Sequence, residues 1–408
     1  MDSVVIKNSV LNGVVQLPPS KSVAHRALIC AALSKYNCKI GPLGNSDDVR
    51  ATISVLKELR SNKEFLNLNC NESGSTLRFL IPVAAALGKH AVFNGNGRLP
   101  QRPIDDYVRL LTQHGVRCKS QGGLPLEIEG KLQNGIFEIA GDVSSQYVTG
   151  LLLALPLCDG DSKIVLTSKL QSLPYVELTI KVMSDFGVQV EKTDFGYFVK
   201  GNQEYKCDRY FIESDWSQAA FFGAAGAIGG NVAVKGLNIE STQGDKRIVD
   251  VLKQFGANVK FENDCLYCSR NELKGITVDA SDIPDMVPSI AVIAAYAKGK
   301  TVINGTKRLR LKESDRVFSV VSNLQKMGVN VECGNDFIEI EGRENLKGAK
   351  LDGFNDHRIV MAFSIAALFA DGDSIISDAQ SINKSYPDFF KDFNRMGGKS
   401  WVQLSEIK

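Results

Sequence analysis

The chain has 408 residues, 44% of them hydrophobic and 23% charged, with a net charge of +2 at neutral pH. That length exceeds one ordinary core and points to two or three domains of about 100 to 200 residues each. A nearly neutral balance excludes a whole-surface field for nucleic acid or an anionic membrane, so any anion site must be local.

The opening run "MDSVVIKNSVLNG" has no basic stretch followed by a long apolar core. No apolar run approaches the ~20 residues that span a bilayer, so a cytoplasmic protein is expected. Nine cysteines, an odd number scattered through apolar contexts, fit reduced thiols. Cys265 and Cys268 form a C-x-x-C, but no second pair completes a zinc site, and the strand-like run around them reads as structural.

Along the chain, the first telling element is "PSKSVAHRAL", residues 19–28, the start of a helix with Lys21 and Arg26 in its opening turns. A helix N-terminus already carries partial positive charge, so two cations there require a negative partner. The same kind of segment, a short polar motif and then an Ala-rich apolar helix, returns as "SGSTLRFLIPVAAAL", "SSQYVTGLLLALPL", "SDWSQAAFFGAAGAI", "PDMVPSIAVIAAYA" and "NDHRIVMAFSIAALFA". The motifs sit near Ser22, Ser75, Ser145, Asp215, Asp285 and Asp356, so after the first they recur about every 70 residues. A second, more amphipathic helix follows each one. Several of these end in a glycine before a β-like run, at Gly115, Gly187, Gly256 and Gly328, again about 70 apart.

Runs such as "KIVLTSK" and "NVAVKGLNIE" alternate as half-buried strands do. The simplest architecture is therefore α/β, with six copies of a β/α unit, three in each of two domains. Apolar helices lie inside and amphipathic ones outside. If the domains face each other, the N-termini of the buried helices point into one cleft, which makes an anion site.

Further cations mark these helix starts: Arg78, Arg358 after His357, Arg102 in "QRPIDD", Lys312 and Arg316 in "KESDR", and Lys384 in "NKSYPDFF". One such residue is ordinarily a solvated side chain. So many in a nearly neutral chain predict a cleft for a ligand with more than one phosphate or carboxylate, which Arg grips with a planar fork. Ser144, Ser145 and Gln146 offer donors to phosphate or hydroxyl groups, although the same residues make a good helix cap. Asp285, in "IPDMVP", and Glu313 are the acid/base candidates because each stands at a buried or cation-rich helix start. An N-cap explains Asp285 equally well, and a surface ion pair explains Glu313.

No Walker A sequence appears, and "GNGRLPQRP" lacks the third glycine of a dinucleotide fingerprint. The four histidines, His25, His90, His114 and His357, form no H-E-x-x-H or close pair for zinc. Catalysis on anionic substrates without metal or cofactor is what remains.

In order, the motifs "PSKSVAHRAL", "SDDVRATISVL", "SGSTLRFL", "QRPI", "SSQY", "SLPYVE", "QGD", "IPDM", "KESDR", "DHRIVMA" and "KSYPDFF" resemble the 5-enolpyruvylshikimate-3-phosphate synthase family over nearly the whole chain. The resemblance implies a two-domain inside-out α/β barrel of six βαβαββ repeats, with the active site in the interdomain cleft. One domain would span 20–213; the other would join 1–19 to 214–408, with a hinge near Ser20 and Glu213. It implies transfer of the enolpyruvyl group of phosphoenolpyruvate to the 5-hydroxyl of shikimate 3-phosphate, releasing phosphate, by addition and then elimination.

Carried over residue by residue, Lys21, Ser22, Arg26, Ser144, Ser145, Gln146, Ser172, Asp285 and Lys312 resemble the shikimate 3-phosphate site, with Tyr175 nearby. Lys21, Gly74, Arg102, Gln146, Arg316, Arg358 and Lys384 resemble the phosphoenolpyruvate site. Lys21, Asp285 and Glu313 are the implied catalytic groups. The family also implies a monomer that uses no cofactor and no metal and binds small molecules, neither nucleic acid nor membrane.

The sequence departs from the commonest family pattern at Glu72 and at Arg308. Glu72 is expected to point away from the anions, and Arg308 replaces an Asn contact with a charged one. Glyphosate competes for the phosphoenolpyruvate site in the family, and Gly74→Ala is expected to weaken it more than the substrate. The sister enolpyruvyl transferase acting on UDP-N-acetylglucosamine typically has Lys-Asn in place of Lys21-Ser22, and a reactive cysteine that "NGRLPQRPID" lacks. A catalytically dead binder on the same fold is the reading from another class; the joint presence of Lys21, Asp285, Glu313 and Lys384 argues against it.

Overall fold

A computed structural model describes residues 2–403. The chain forms two compact units, a first of Pro19–Ile212 and a second of Met1–Pro18 with Glu213–Lys408. Among the described residues, each unit holds six α-helices. In the first they are α1 (Lys21–Leu33), α2 (Asp47–Leu59), α3 (Gly74–Ala86), α4 (Asp105–Gln113), α5 (Ser145–Ala154) and α6 (Leu173–Asp185). In the second they are α7 (Trp216–Ile228), α8 (Ile248–Phe255), α9 (Val287–Ala295), α10 (Arg316–Lys326), α11 (His357–Leu368) and α12 (Phe389–Arg395).

The odd-numbered helices are the Ala-rich ones, and they fill the cores. Every residue of α7, α9 and α11 is buried, as is every residue of α3 except Ser75. Small residues make that possible. A Cβ on Gly150 of α5 would stand 2.3 Å from the Arg78 carbonyl of α3 and 2.2 Å from the Tyr107 hydroxyl, so only glycine permits that crossing. The even-numbered helices bury one stripe each. In α8, Ile248, Val251, Leu252 and Phe255 face the core while Asp250 and Lys253 do not. Gly115, Gly187, Gly256 and Gly328 follow α4, α6, α8 and α10 at φ between +80° and +98°, the left-handed stop expected of them.

Among the described residues, five sheets have four strands and a sixth has two. In the repeating pattern, a parallel pair brackets an inner helix and an antiparallel hairpin then completes the sheet. Phe65–Asn69 thus runs parallel to His90–Asn94 around α3, and Leu126–Glu129 and Arg117–Lys119 follow α4. In the second unit, Ser3–Lys7 completes the sheet of Ser374–Ile376 and Lys399–Gln403, and Asn12–Gln16 lies parallel to Asn231–Lys235. This pairing ties the start of the chain to its second half. The sixth repeat is shorter than expected. Its parallel pair, Lys39–Gly41 with Arg209–Phe211, lies wholly after α1 in the chain, and only residues 60–64 separate α2 from the next sheet, leaving no room for a hairpin.

Candidate active site

In the first unit the inner helices begin with serine caps. Ser20 accepts from the Val23 N–H, Ser73 from Thr76 and Ser144 from Gln146. A hydroxyl satisfies one backbone donor without adding charge, so the positive ends of α1, α3 and α5 keep their attraction for anions.

A chain of contacts joins these starts. Lys21 Nζ lies 2.7 Å from Asp48 Oδ2, and the Asp48 carbonyl accepts from Thr76 at the start of α3. Arg78 donates to Gln146 Oε1 at 3.1 Å, and Gln146 Nε2 donates to Ser75 Oγ at 3.1 Å. Gly74 gives Arg102 its place, because a methyl there would stand 2.4 Å from Arg102 Nη1 and 3.2 Å from Arg78 Nη1. Lys21, Gly74, Arg102, Ser144, Ser145 and Gln146 are therefore brought together. Ser172 is buried before α6 at φ 56°, a conformation costly for a residue with a side chain.

Arg26 is more tied than its position suggested. Its guanidinium donates to Thr179 Oγ1, the Ser22 carbonyl and the Tyr175 carbonyl, and stacks 5.0 Å over Phe79. Burial lowers its pKa to about 10. Ser22 and Tyr175 thus meet Arg26 through their backbone.

The second unit uses aspartates where the first uses serines. Asp215 caps α7 and Asp356 caps α11, while Asp285 sits in the tight turn leading into α9. Asp285 Oδ1 accepts from Arg316 Nη1 and Oδ2 from Arg358 Nη2, both at 2.8 Å, and Lys312 Nζ lies 3.5 Å away. Burial opposes the Asp285 charge, but Arg358, Lys312 and Arg316 outweigh it and hold the carboxyl well below the usual carboxylate range. Arg316, 1% exposed, also donates to Asp356 and, through Nη2, to Glu313 Oε2 at 2.8 Å. Burial works against this guanidinium too, and Asp356, Glu313 and Asp285 together more than offset it. Lys312 is pushed down by burial, against the pull of Asp285. Lys384 donates to the Asn355 carbonyl beside Asp356. One cluster thus holds Asp285, Lys312, Glu313, Arg316, Arg358 and Lys384.

The sequence reading missed three members of these networks. Asp48 stands in the "SDDVRATISVL" motif, Asp356 was legible only as a helix start, and Asp245 only as the end of "QGD". Asp245 accepts from the Ser217 hydroxyl, and burial, reinforced by Asp285, raises its pKa to about 6. An aspartate raised in the folded state keeps a proton that the unfolded chain has lost, so stability falls as pH rises from about 4 to 6 and stays lower above. Asp245→Asn is expected to raise Tm at pH 8 by about 5 °C and to flatten that fall. A calorimetric pH series that leaves the slope unchanged would contradict this.

The departures also have definite places. Glu72 is half-buried, and its carboxylate lies where a Cβ on Gly97 would be, 2.5 Å from it. Arg308 donates to the Ser281 carbonyl at 2.8 Å. Cys265 and Cys268 are buried free thiols on one strand, both raised by burial, Cys268 to about 12. Among the described residues, His90, Glu127 and Glu129 form a group able to hold a metal ion. Its carboxylates already pair with Lys119 and Arg117, and it belongs to sheet strands rather than to the inner helix starts.

The family model of EPSP synthase (3-phosphoshikimate 1-carboxyvinyltransferase) matches residues 5–393. The 3-phosphoshikimate 1-carboxyvinyltransferase of Clostridium novyi (strain NT) is 42% identical over 426 residues, covering 98% of each chain. That of Clostridium kluyveri is 41% identical over 418 residues, again with 98% of each covered. Among solved structures, the EPSP synthase from Acinetobacter baumannii superposes with a TM-score of 0.82 at 24% identity, covering 99% of this chain and 100% of that one. The chain belongs to the EPSP synthase, or 3-phosphoshikimate 1-carboxyvinyltransferase, family.

Proposed function

We propose a division of labour among these residues for the reaction of the family. The enzyme transfers the enolpyruvyl group of phosphoenolpyruvate to the 5-hydroxyl of shikimate 3-phosphate and releases phosphate. In our reading, Lys21, Ser22, Arg26, Ser144, Ser145, Gln146 and Ser172 bind shikimate 3-phosphate, joined by Asp285 and Lys312. Lys21, Gly74, Arg102, Gln146, Arg316, Arg358 and Lys384 bind phosphoenolpyruvate. The serine caps support the first assignment, since they leave helix ends positive for a phosphate.

The observation that carries the chemistry is one guanidinium holding two carboxylates. Arg316 keeps Asp285 on one terminal nitrogen and Glu313 on the other, which puts two acid/base groups side by side. Asp285 takes the proton of the attacking 5-hydroxyl, and Glu313 delivers one to the methylene carbon of phosphoenolpyruvate. Lys21 neutralises the phosphate that leaves when the tetrahedral adduct collapses.

A carboxylate held well below its usual range is a weak base. The substrate's own phosphate and carboxylate correct this, because they compete for the same Arg358, Lys312 and Arg316 donors. As those donors turn to the ligand, Asp285 regains basicity when it is needed. In deuterated water, Glu313→Gln is expected to slow label uptake into the methylene group by about 10²-fold or more. Uptake at the wild-type rate would remove Glu313 from this role.

Gly74→Ala is expected to displace the Arg102 guanidinium. It should raise KM for phosphoenolpyruvate about tenfold, with a smaller change in kcat. It should weaken glyphosate further still, and equal losses for inhibitor and substrate would refute that second part. We take the enzyme to act as a monomer in the cytoplasm without metal or cofactor. Nine free cysteines suit a reducing compartment, and among the described residues no helix is long and apolar enough to cross a membrane.

A further inference from the structure

We propose that Cys38 and Cys207 form a reversible disulfide, a modification site at the shortened sixth sheet of the first unit. The geometry comes from the parallel pair Lys39–Gly41 and Arg209–Phe211. Lys39 is paired with Arg209, and the Lys39 N–H donates to the Asp208 carbonyl at 2.9 Å. Cys38 and Cys207 therefore enter this pair from the same end, Cys38 directly before Lys39 and Cys207 two positions before Arg209, one residue out of step with each other. With strands about 4.8 Å apart and a one-residue offset of about 3.3 Å, their Cα atoms come about 6 Å apart, within the separation that a disulfide spans. The Cys38 side chain lies close enough to Cys207 for that thiol to push its pKa up, and Cys207 donates to the Arg209 carbonyl at 3.2 Å. Both are free and half-buried, so a small oxidant reaches them while bulk solvent does not surround them.

The other cysteines set this pair apart. Cys30, Cys70, Cys158, Cys265 and Cys268 are buried, Cys333 is exposed on a separate unit, and Cys118, half-buried on the strand Arg117–Lys119, donates to the Val116 carbonyl. The sheet itself gives the bond a purpose. Five sheets have four strands, whereas this one has two, held by three residue pairs. Two strands alone are marginal, and a covalent tie between segments so distant in sequence restricts the unfolded chain strongly. The second strand runs on to Ile212, whose N–H donates to the Gly41 carbonyl, and the first unit ends there.

The oxidant is a peroxide. One thiolate attacks hydrogen peroxide, giving a sulfenic acid and hydroxide. The second sulfur then attacks the first and displaces water. In balance, two thiols and one hydrogen peroxide give one disulfide and two waters. Burial, and then Cys207, push Cys38 up to about 11, so the reaction is slow at neutral pH and faster in mildly alkaline buffer.

The test uses the full chain carrying Cys333→Ser. The protein is treated with hydrogen peroxide in mildly alkaline buffer, quenched with catalase, alkylated with N-ethylmaleimide and digested for mass spectrometry. The expected product is a Cys38–Cys207 linked peptide pair, two hydrogens lighter than the separate peptides and released by dithiothreitol. Tm of the oxidised protein should rise by about 5 °C, with no rise in Cys38→Ser or Cys207→Ser. Recovery of both cysteines as N-ethylmaleimide adducts or as separate sulfinic acids would overturn the proposal. So would a linked pair that appears only in guanidinium-unfolded protein.

Discussion

Asp285→Asn is expected to lower kcat by at least about 10³-fold while leaving phosphoenolpyruvate bound as tightly as in the wild type, or more tightly. Two opposed effects of one carboxylate lead to this split. As a base it accepts the proton of the attacking hydroxyl, and an amide cannot. As a counter-ion it holds Arg316 and Arg358 at 2.8 Å each and thereby competes with the anionic substrate for them. An amide oxygen still accepts one of those hydrogen bonds but brings no charge, so the guanidiniums turn more readily to the ligand. Phosphate release measures the first effect and titration calorimetry with phosphoenolpyruvate the second. If Asp285 only kept the cations in place, kcat and affinity would fall together.

Arg316→Ala is expected to cost about 3–5 kcal/mol of stability, the penalty for removing one partner from a buried charge network. Asp356 is fully buried, and it would be left with the Ser314 hydroxyl and the Arg358 N–H as its remaining donors. Glu313 and Asp285 each lose a hydrogen bond as well. Carboxylates stranded in this way take up protons more readily in the folded state. The deficit should therefore shrink as pH falls from 7 towards 5, where the folded variant binds protons that its unfolded chain does not. Arg316→Lys should restore only part of the loss, because one ammonium cannot serve three carboxylates at once. Urea denaturation at the two pH values checks both statements, and a deficit that grows on acidification would contradict the account.

Much of this organisation is written in the sequence because it depends on local rules. The repeat near 70 residues, the apolar helices and the glycines at 115, 187, 256 and 328 each follow from side-chain periodicity or from a backbone conformation that glycine favours. The site residues were legible for a related reason, since a cation at the start of a buried helix conflicts with the helix dipole unless a ligand or an acid resolves it.

What was not legible depends on partners far apart in the chain. Asp356 reads as a helix cap, and it is one, but the same carboxylate also neutralises Arg316 forty positions earlier. Arg26 reads as a ligand group, and only the fold shows it anchored to Thr179 and Tyr175. The close approach of Arg102 to Gly74 and the loss of a hairpin from the sixth repeat are likewise matters of packing between distant segments.

The account rests on one reaction that needs both substrates. Its most direct measurement is phosphate release from purified protein given phosphoenolpyruvate and shikimate 3-phosphate, alone and together, without added metal. The prediction is release only when both are present, abolished in Asp285→Asn. Release from phosphoenolpyruvate alone, or none with both substrates present, would contradict it.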